Sequence, residues 1–236
     1  MPGFKQTTEW LHAFASLFFP HLCAGCGSNN IARDEAICHH CIAHFPLTDF
    51  ANQAGNPVEK LFWGRIPVSA ACSQFYFTRS SSIQHALHAL KYKGNKDAGL
   101  VLGRLLGHSL KQSNRFSNID VIVPLPLYPK KEKSRGYNQA TIIANGMQEV
   151  LKIPVITDAV IRISYSDSQT NKNRIDRWKN VGDVFTLQNP DLLMGKNILL
   201  TDDVITTGAS LEACGEAIRR ANIGDLYIAT LAFADQ

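Results

Sequence analysis

Lys196-Asn197-Ile198-Leu199-Leu200-Thr201-Asp202-Asp203-Val204-Ile205-Thr206-Thr207-Gly208-Ala209-Ser210 is the stretch whose reading decides the fold. An apolar run ends in two adjacent carboxylates. Two aliphatic residues follow, and then Thr-Thr-Gly-Ala-Ser opens a segment with Leu211, Cys214, Ala217, Ile218 and Ala221 on one helical side. A buried strand feeding a helix through a glycine-bearing turn is the repeating unit of parallel α/β sheets. Gly208 lets the backbone turn closely around an anion. Thr206, Thr207 and Ser210 offer hydroxyls, and the helix start from Ala209 onward offers free N–H groups and the positive end of the dipole, which suits a monophosphate. Asp202 and Asp203 are acceptors only, so they suit the vicinal hydroxyls of a ribose, directly or through a hard cation such as magnesium. Together these groups describe a site for a sugar phosphate.

Outward from this stretch, helical and apolar segments alternate. Ser82 to Tyr92 reads as a helix with Ile83, Leu87 and Leu90 on one face, and Thr141 to Leu151 as another. Val121-Ile122-Val123, Val155-Ile156, Ile198-Leu199-Leu200 and Leu226 to Leu231 read as strands. In a parallel sheet of this kind ligands sit beyond the carboxyl ends of the strands. After Val123 the chain runs Pro124-Leu125-Pro126 and then through Lys130, Lys131 and Lys133 to Arg135-Gly136-Tyr137-Asn138-Gln139-Ala140. Arg135 suits a bidentate grip on an anion, and Gly136 allows backbone N–H groups to approach it. The polar stretch from Ser164 to Asn180 contains Gln169, Lys172, Arg174 and Arg177, and polar loops of such length are commonly functional.

The formal net charge is only +4, but Lys91 to Arg135 holds ten Lys and Arg against three Asp and Glu. Such a patch favours polyanions, and a solvated basic face remains the plain alternative. Tyr92, Tyr128, Tyr137, Tyr165 and Trp178 lie among basic residues, where they suit either base stacking or the core.

Cys23-x-x-Cys26 and Cys38-x-x-Cys41 stand eleven residues apart, the spacing of two knuckles closing on one tetrahedral ion. Four thiolates complete a closed zinc site, which predicts a structural staple rather than catalysis. His39 and His40 lie inside the second knuckle as competing donors. Trp10, Phe14, Leu17 and Phe18 suit an amphipathic N-terminal helix, interrupted by Glu9 and His12 in a way that disfavours an export signal. Thr48 to Lys60, with Gly55, Asn56 and Pro57, reads as a linker. No apolar run reaches transmembrane length, so a soluble chain in a reducing cytoplasm is expected.

The Asp202-to-Ser210 segment resembles the phosphoribosyl-pyrophosphate loop of type I phosphoribosyltransferases. The fold class this implies is an α/β parallel sheet flanked by helices, with a small N-terminal four-cysteine module. Thr201 departs from that pattern, where another apolar strand residue is usual. Thr206 stands where salvage enzymes for 6-oxopurines carry a carboxylate base, which speaks against hypoxanthine or guanine as substrate. With the four-cysteine head, Lys91-Tyr92-Lys93-Gly94, Pro124-Leu125-Pro126, Arg135-Gly136-Tyr137-Asn138-Gln139-Ala140, Gln169-Thr170 and Arg174, nearly the whole chain resembles the ComF family.

That resemblance implies residues 1–60 as an N-terminal helix, zinc module and linker, and 61–236 as the phosphoribosyltransferase-like domain. It implies a role in natural transformation, handling incoming single-stranded DNA in the cytoplasm, with a competence helicase or inner-membrane DNA channel as partner and attachment to the membrane only through such partners. Phosphoribosyl pyrophosphate with magnesium would meet Asp202 and Asp203 through its ribose, Thr206 to Ser210 through its 5′-phosphate, and Arg135, Gly136 and Tyr137 through its pyrophosphate. Gln169, Lys172, Arg174 and Arg177 would form the flexible catalytic loop. Lys91, Lys93, Lys130, Lys131 and Lys133 are candidate DNA contacts. Two other readings stay open: an active phosphoribosyltransferase with an unidentified acceptor, and a zinc-stapled adaptor with a vestigial pocket.

Overall fold

The computed structural model describes residues 21–163 and 184–234. Four strands, β1 (Ala70–Tyr76), β2 (Val121–Pro124), β5 (Ile198–Ile205) and β6 (Leu226–Phe233), form one sheet in the order β1-β6-β5-β2. Every pairing in it is parallel. β6 is buried along its whole length, as expected of a strand covered on both faces. Val155 and Ile156, expected as a further strand, reduce to a single parallel bridge between Val155 and Ile122 at the β2 edge. A separate antiparallel ribbon joins β3 (Val160–Arg162) to β4 (Phe185–Leu187).

Helices α3 (Ser82–Tyr92), α4 (Lys96–Gln112) and α6 (Gln139–Leu151) pack together and cover one face of the sheet. α4 carries Gly99, Gly103 and Gly107 at four-residue spacing. A methyl group on Gly103 would collide with the Ile143 carbonyl, and one on Gly146 with the Leu100 carbonyl, so the two helices touch backbone to backbone. α7 (Ala209–Arg219) lies on the other face, where Gly215 admits the Ile66 and Leu226 side chains.

Side chains on successive strand residues leave opposite faces. Thr201 is fully buried, and its hydroxyl lies 3.8 Å from the Met147 sulfur on α6. The strand therefore continues through Thr201, with the hydroxyl satisfied locally, and the acidic pair sits on β5 itself instead of on the loop after it.

The segment read as a linker is packed into the body. Thr48 donates its backbone N–H to the Gln74 carbonyl, and Leu47 bridges Phe75 in antiparallel fashion. Asn56 is buried, caps the short helix α2 (Pro57–Lys60) through Val58 and Glu59, and donates to the carbonyls of Phe50, Gln53 and Ala71. Glu59 accepts from the Gly55 and Ala71 N–H groups and pairs with Arg115. A run of Gly, Asn and Pro suggests freedom, but here these residues supply a cap and a turn that seal the β1 edge.

Candidate functional site

The four cysteines gather ahead of and within the short helix α1 (His39–Ala43), with all four sulfurs within 4.8 Å of one another. Cys23 and Cys41 sulfurs are 3.8 Å apart, as are those of Cys26 and Cys38. Zn–S bonds of about 2.3 Å in a tetrahedron give edges of about 3.8 Å, so the cluster is compatible with a structural zinc site. Backbone N–H groups of Gly25 and Cys38 point at the Cys23 sulfur. Burial acts to raise the Cys23 pKa, but N–H groups of Cys38, Cys26 and Gly25 outweigh it and bring the thiol down to about 6. A β-carbon on Gly25 would press within 2.9 Å of the Cys41 sulfur, so the glycine is a steric requirement of the knuckle. His39 instead pairs with Glu35 at 2.8 Å, and His40 stacks on His44, so neither histidine joins the cluster.

At the sheet, β5 brings Asp202 and Asp203 to its carboxyl half. Asp203 faces α3 and is almost fully buried. Lys91 Nζ lies 2.9 Å from Asp203 Oδ2 but off the hydrogen-bonding direction, so that oxygen has an ion-pair partner and no hydrogen bond. Asp202 leaves the opposite face, and its Oδ1 accepts the Asp203 N–H at 2.8 Å. Burial first, and the neighbouring Asp203 second, push the Asp202 pKa up to about 8. For a divalent ion the fit at Asp203 is poor: magnesium keeps several waters in a near-octahedral shell, and this carboxylate is sealed and already holds an ammonium.

Beyond β5, Gly208 has φ +75 and forms the N-cap of α7. The Phe62 ring lies 3.1 Å from where its β-carbon would stand. Thr206, Thr207, Ala209 and Ser210 are exposed around the open helix end. Arg65, which sequence reasoning missed, donates to the Thr207 carbonyl at 3.0 Å and pairs with Glu212, fixing the turn from outside. No motif surrounds Arg65, and only the fold reveals its role.

The basic segment after β2 is a helix, α5 (Pro129–Arg135), with proline in its first turn and Gly136 at φ +81 closing it. It buries no side chain, so it carries no apolar period for a sequence reading to detect. Lys91, Tyr92, Tyr128, Lys130, Lys131 and Arg135 line a cleft of about 550 Å³. Lys93 and Lys133 are exposed outside its lining. The Arg135 guanidinium lies over the Tyr92 ring and also donates to Gln139. Tyr137 donates its hydroxyl to the Leu90 carbonyl, and Asn138 caps α6 while donating to the Leu125 carbonyl. The last turn of α3 thus touches the β5 acid through Lys91 and the β2 loop through Leu90 and Tyr92. Gln169, Lys172, Arg174 and Arg177, with Tyr165 and Trp178, lie outside the described residues, as does the N-terminal helix expected around Trp10.

These features define an α/β protein built on a parallel sheet flanked by helices, with a four-cysteine module near its N-terminal end. The chain is similar to Competence protein F of Haemophilus influenzae, at 27% identity over 92% of this chain and 86% of that protein. It is also similar to DNA utilization protein YhgH of Escherichia coli, at 24% identity over 84% of each chain, and to Competence protein ComFC of Bacillus subtilis, at 29% identity over 57% of this chain and 52% of that one. The resemblance to the ComF family read from the motifs is thereby borne out. No family model matches the chain. Among solved structures it is similar to a glutamine phosphoribosylpyrophosphate amidotransferase from B. subtilis, with 15% identity and a TM-score of 0.45, covering 61% of this chain and 30% of that one. It is similar also to an adenine phosphoribosyltransferase from Leishmania donovani, with 13% identity and a TM-score of 0.37, covering 77% of this chain and 82% of that one.

Among the described residues no helix is long and apolar enough to cross a membrane.

Proposed function

We propose that this protein is a DNA-uptake factor of natural transformation that handles incoming single-stranded DNA in the cytoplasm and carries a pocket for phosphoribosyl pyrophosphate. The observation that carries the reading is the last turn of α3. Its Lys91 reaches the buried Asp203 while Lys91 and Tyr92 line the basic cleft, so one side chain ties the cations and exposed aromatic ring of the cleft to the acid of β5. Cationic grooves with stacking platforms suit single strands. The names of the relatives, competence and DNA utilization proteins, support the DNA side of the reading. The open N-terminus of α7 supports the phosphate side, with Thr206 to Ser210 receiving a 5′-phosphate and Arg135 to Tyr137 a pyrophosphate. Magnesium would arrive on the ligand's pyrophosphate, and zinc would staple Cys23, Cys26, Cys38 and Cys41.

Fluorescence anisotropy of a labelled oligothymidylate over a range of salt concentrations tests the DNA function. Each phosphate contact contributes about 0.7 to the slope of log affinity against log salt for single strands. Replacing Lys130, Lys131 and Lys133 together by Ala should lower that slope by about 1–2. An unchanged slope, or no binding by the wild type, would overturn the assignment.

A further inference from the structure

Lys91 is the side chain that the sugar-phosphate reading alone leaves without a role. It leaves α3, crosses to β5 and sets its ammonium 2.9 Å from Asp203 Oδ2, an oxygen without a hydrogen bond on a residue that is only 4% exposed. The lysine itself keeps 24% of its side-chain surface open, on the wall of the basic cleft. A hydrated divalent ion at Asp203 needs room for its waters and a free carboxylate oxygen facing it, and both are taken up here.

We propose that Lys91 is the resident cation of the acidic pair, holding the position a divalent ion would otherwise take at Asp203. The inference rests on the pocket reading above and deepens it. The site then takes a ribose phosphate without a metal ion bound to the protein, and any divalent requirement belongs to a ligand that chelates one itself. The ammonium holds the buried carboxylate at fixed geometry in the carboxyl half of β5. Lys91 is therefore a positioning residue that acts through Asp203.

Two measurements on the zinc-loaded full chain test this. Electron paramagnetic resonance counts bound Mn²⁺. Wild type and Asp203→Asn should bind the same amount, and Lys91→Met should gain one site that Lys91→Met/Asp203→Asn loses. A wild-type site abolished by Asp203→Asn would overturn the proposal, and that comparison stands even if Lys91→Met fails to fold because it strands a buried charge. Calorimetry with ribose 5-phosphate, which has no pyrophosphate to chelate metal, should give affinities within about twofold in magnesium-free buffer without chelator and in Mg²⁺, whereas a loss of tenfold or so without Mg²⁺ would contradict it. Binding in neither medium would sink the pocket reading itself, and the Mn²⁺ counts would still decide the role of Lys91.

Discussion

The Tyr137 hydroxyl donates to the Leu90 carbonyl and so locks the loop after β2 onto the last turn of α3. Lys96 lies over the same tyrosine ring at 4.9 Å, so the ring is held from outside as well. Tyr137→Phe keeps the ring and removes the tie. Stability should fall by about 1 kcal/mol, the usual net worth of such a bond, with a several-fold loss of oligothymidylate affinity. Denaturation and anisotropy together check this, and unchanged values in both would show that the tie positions nothing.

Gly208 combines a left-handed backbone with the Phe62 ring 3.1 Å from its absent β-carbon. Gly208→Ala should cost about 1–3 kcal/mol for the backbone strain alone. It should also weaken ribose 5-phosphate binding by more than the stability loss explains, because the N–H groups of Ala209 and Ser210 shift. Chemical denaturation and calorimetry on the folded variant separate the two effects.

Asp202 supplies a pH dependence. Burial and then Asp203 raise its pKa to about 8, so the folded chain keeps a proton that the unfolded chain gives up near the ordinary aspartate value. The folded state binds more protons between about pH 4 and pH 8, and stability therefore falls as pH rises through that window and levels off above it. Asp202→Asn removes the penalty. Since Asp202 keeps some contact with solvent, the variant should gain on the order of 1 kcal/mol relative to wild type at pH 8 and little at pH 4. Thermal melts at both pH values read this directly, and an equal gain at both would place the effect elsewhere.

Removing zinc with a chelator should release the knuckles first. His85 contacts the Gly25 carbonyl at 3.1 Å, which couples the knuckle to α3. Hydrogen exchange should rise across 23–44 while the amides of β2, β5 and β6 stay protected. Simultaneous loss of protection in the sheet would show that module and sheet unfold as one unit.

What was legible in the sequence follows from how locally each feature is encoded. The β5 stretch and the start of α7 carry strand, glycine and helix in one continuous run, and Cys-x-x-Cys pairs state their own chemistry. α4 escaped because Gly99, Gly103 and Gly107 look like loop residues, although they are what lets α4 meet α6 backbone to backbone. β1 escaped because Ala70-Ala71-Cys72-Ser73 has no apolar alternation, its small side chains being buried on both faces. Lys91 was legible as a cation but not as the partner of Asp203, since that pairing spans more than a hundred residues and exists only once α3 crosses β5. Arg65 and Asn56 act through backbone carbonyls and N–H groups, contacts for which a sequence carries no pattern.

Phosphorus NMR of phosphoribosyl pyrophosphate and magnesium with the purified protein, before and after adding single-stranded DNA, reports pocket occupancy and turnover together. The ligand resonances should shift or broaden on binding and change again when DNA enters the basic cleft, with no pyrophosphate released over hours. Resonances identical to those of free ligand would contradict the pocket, and steady pyrophosphate release on adding a nucleobase would make the protein a working transferase instead.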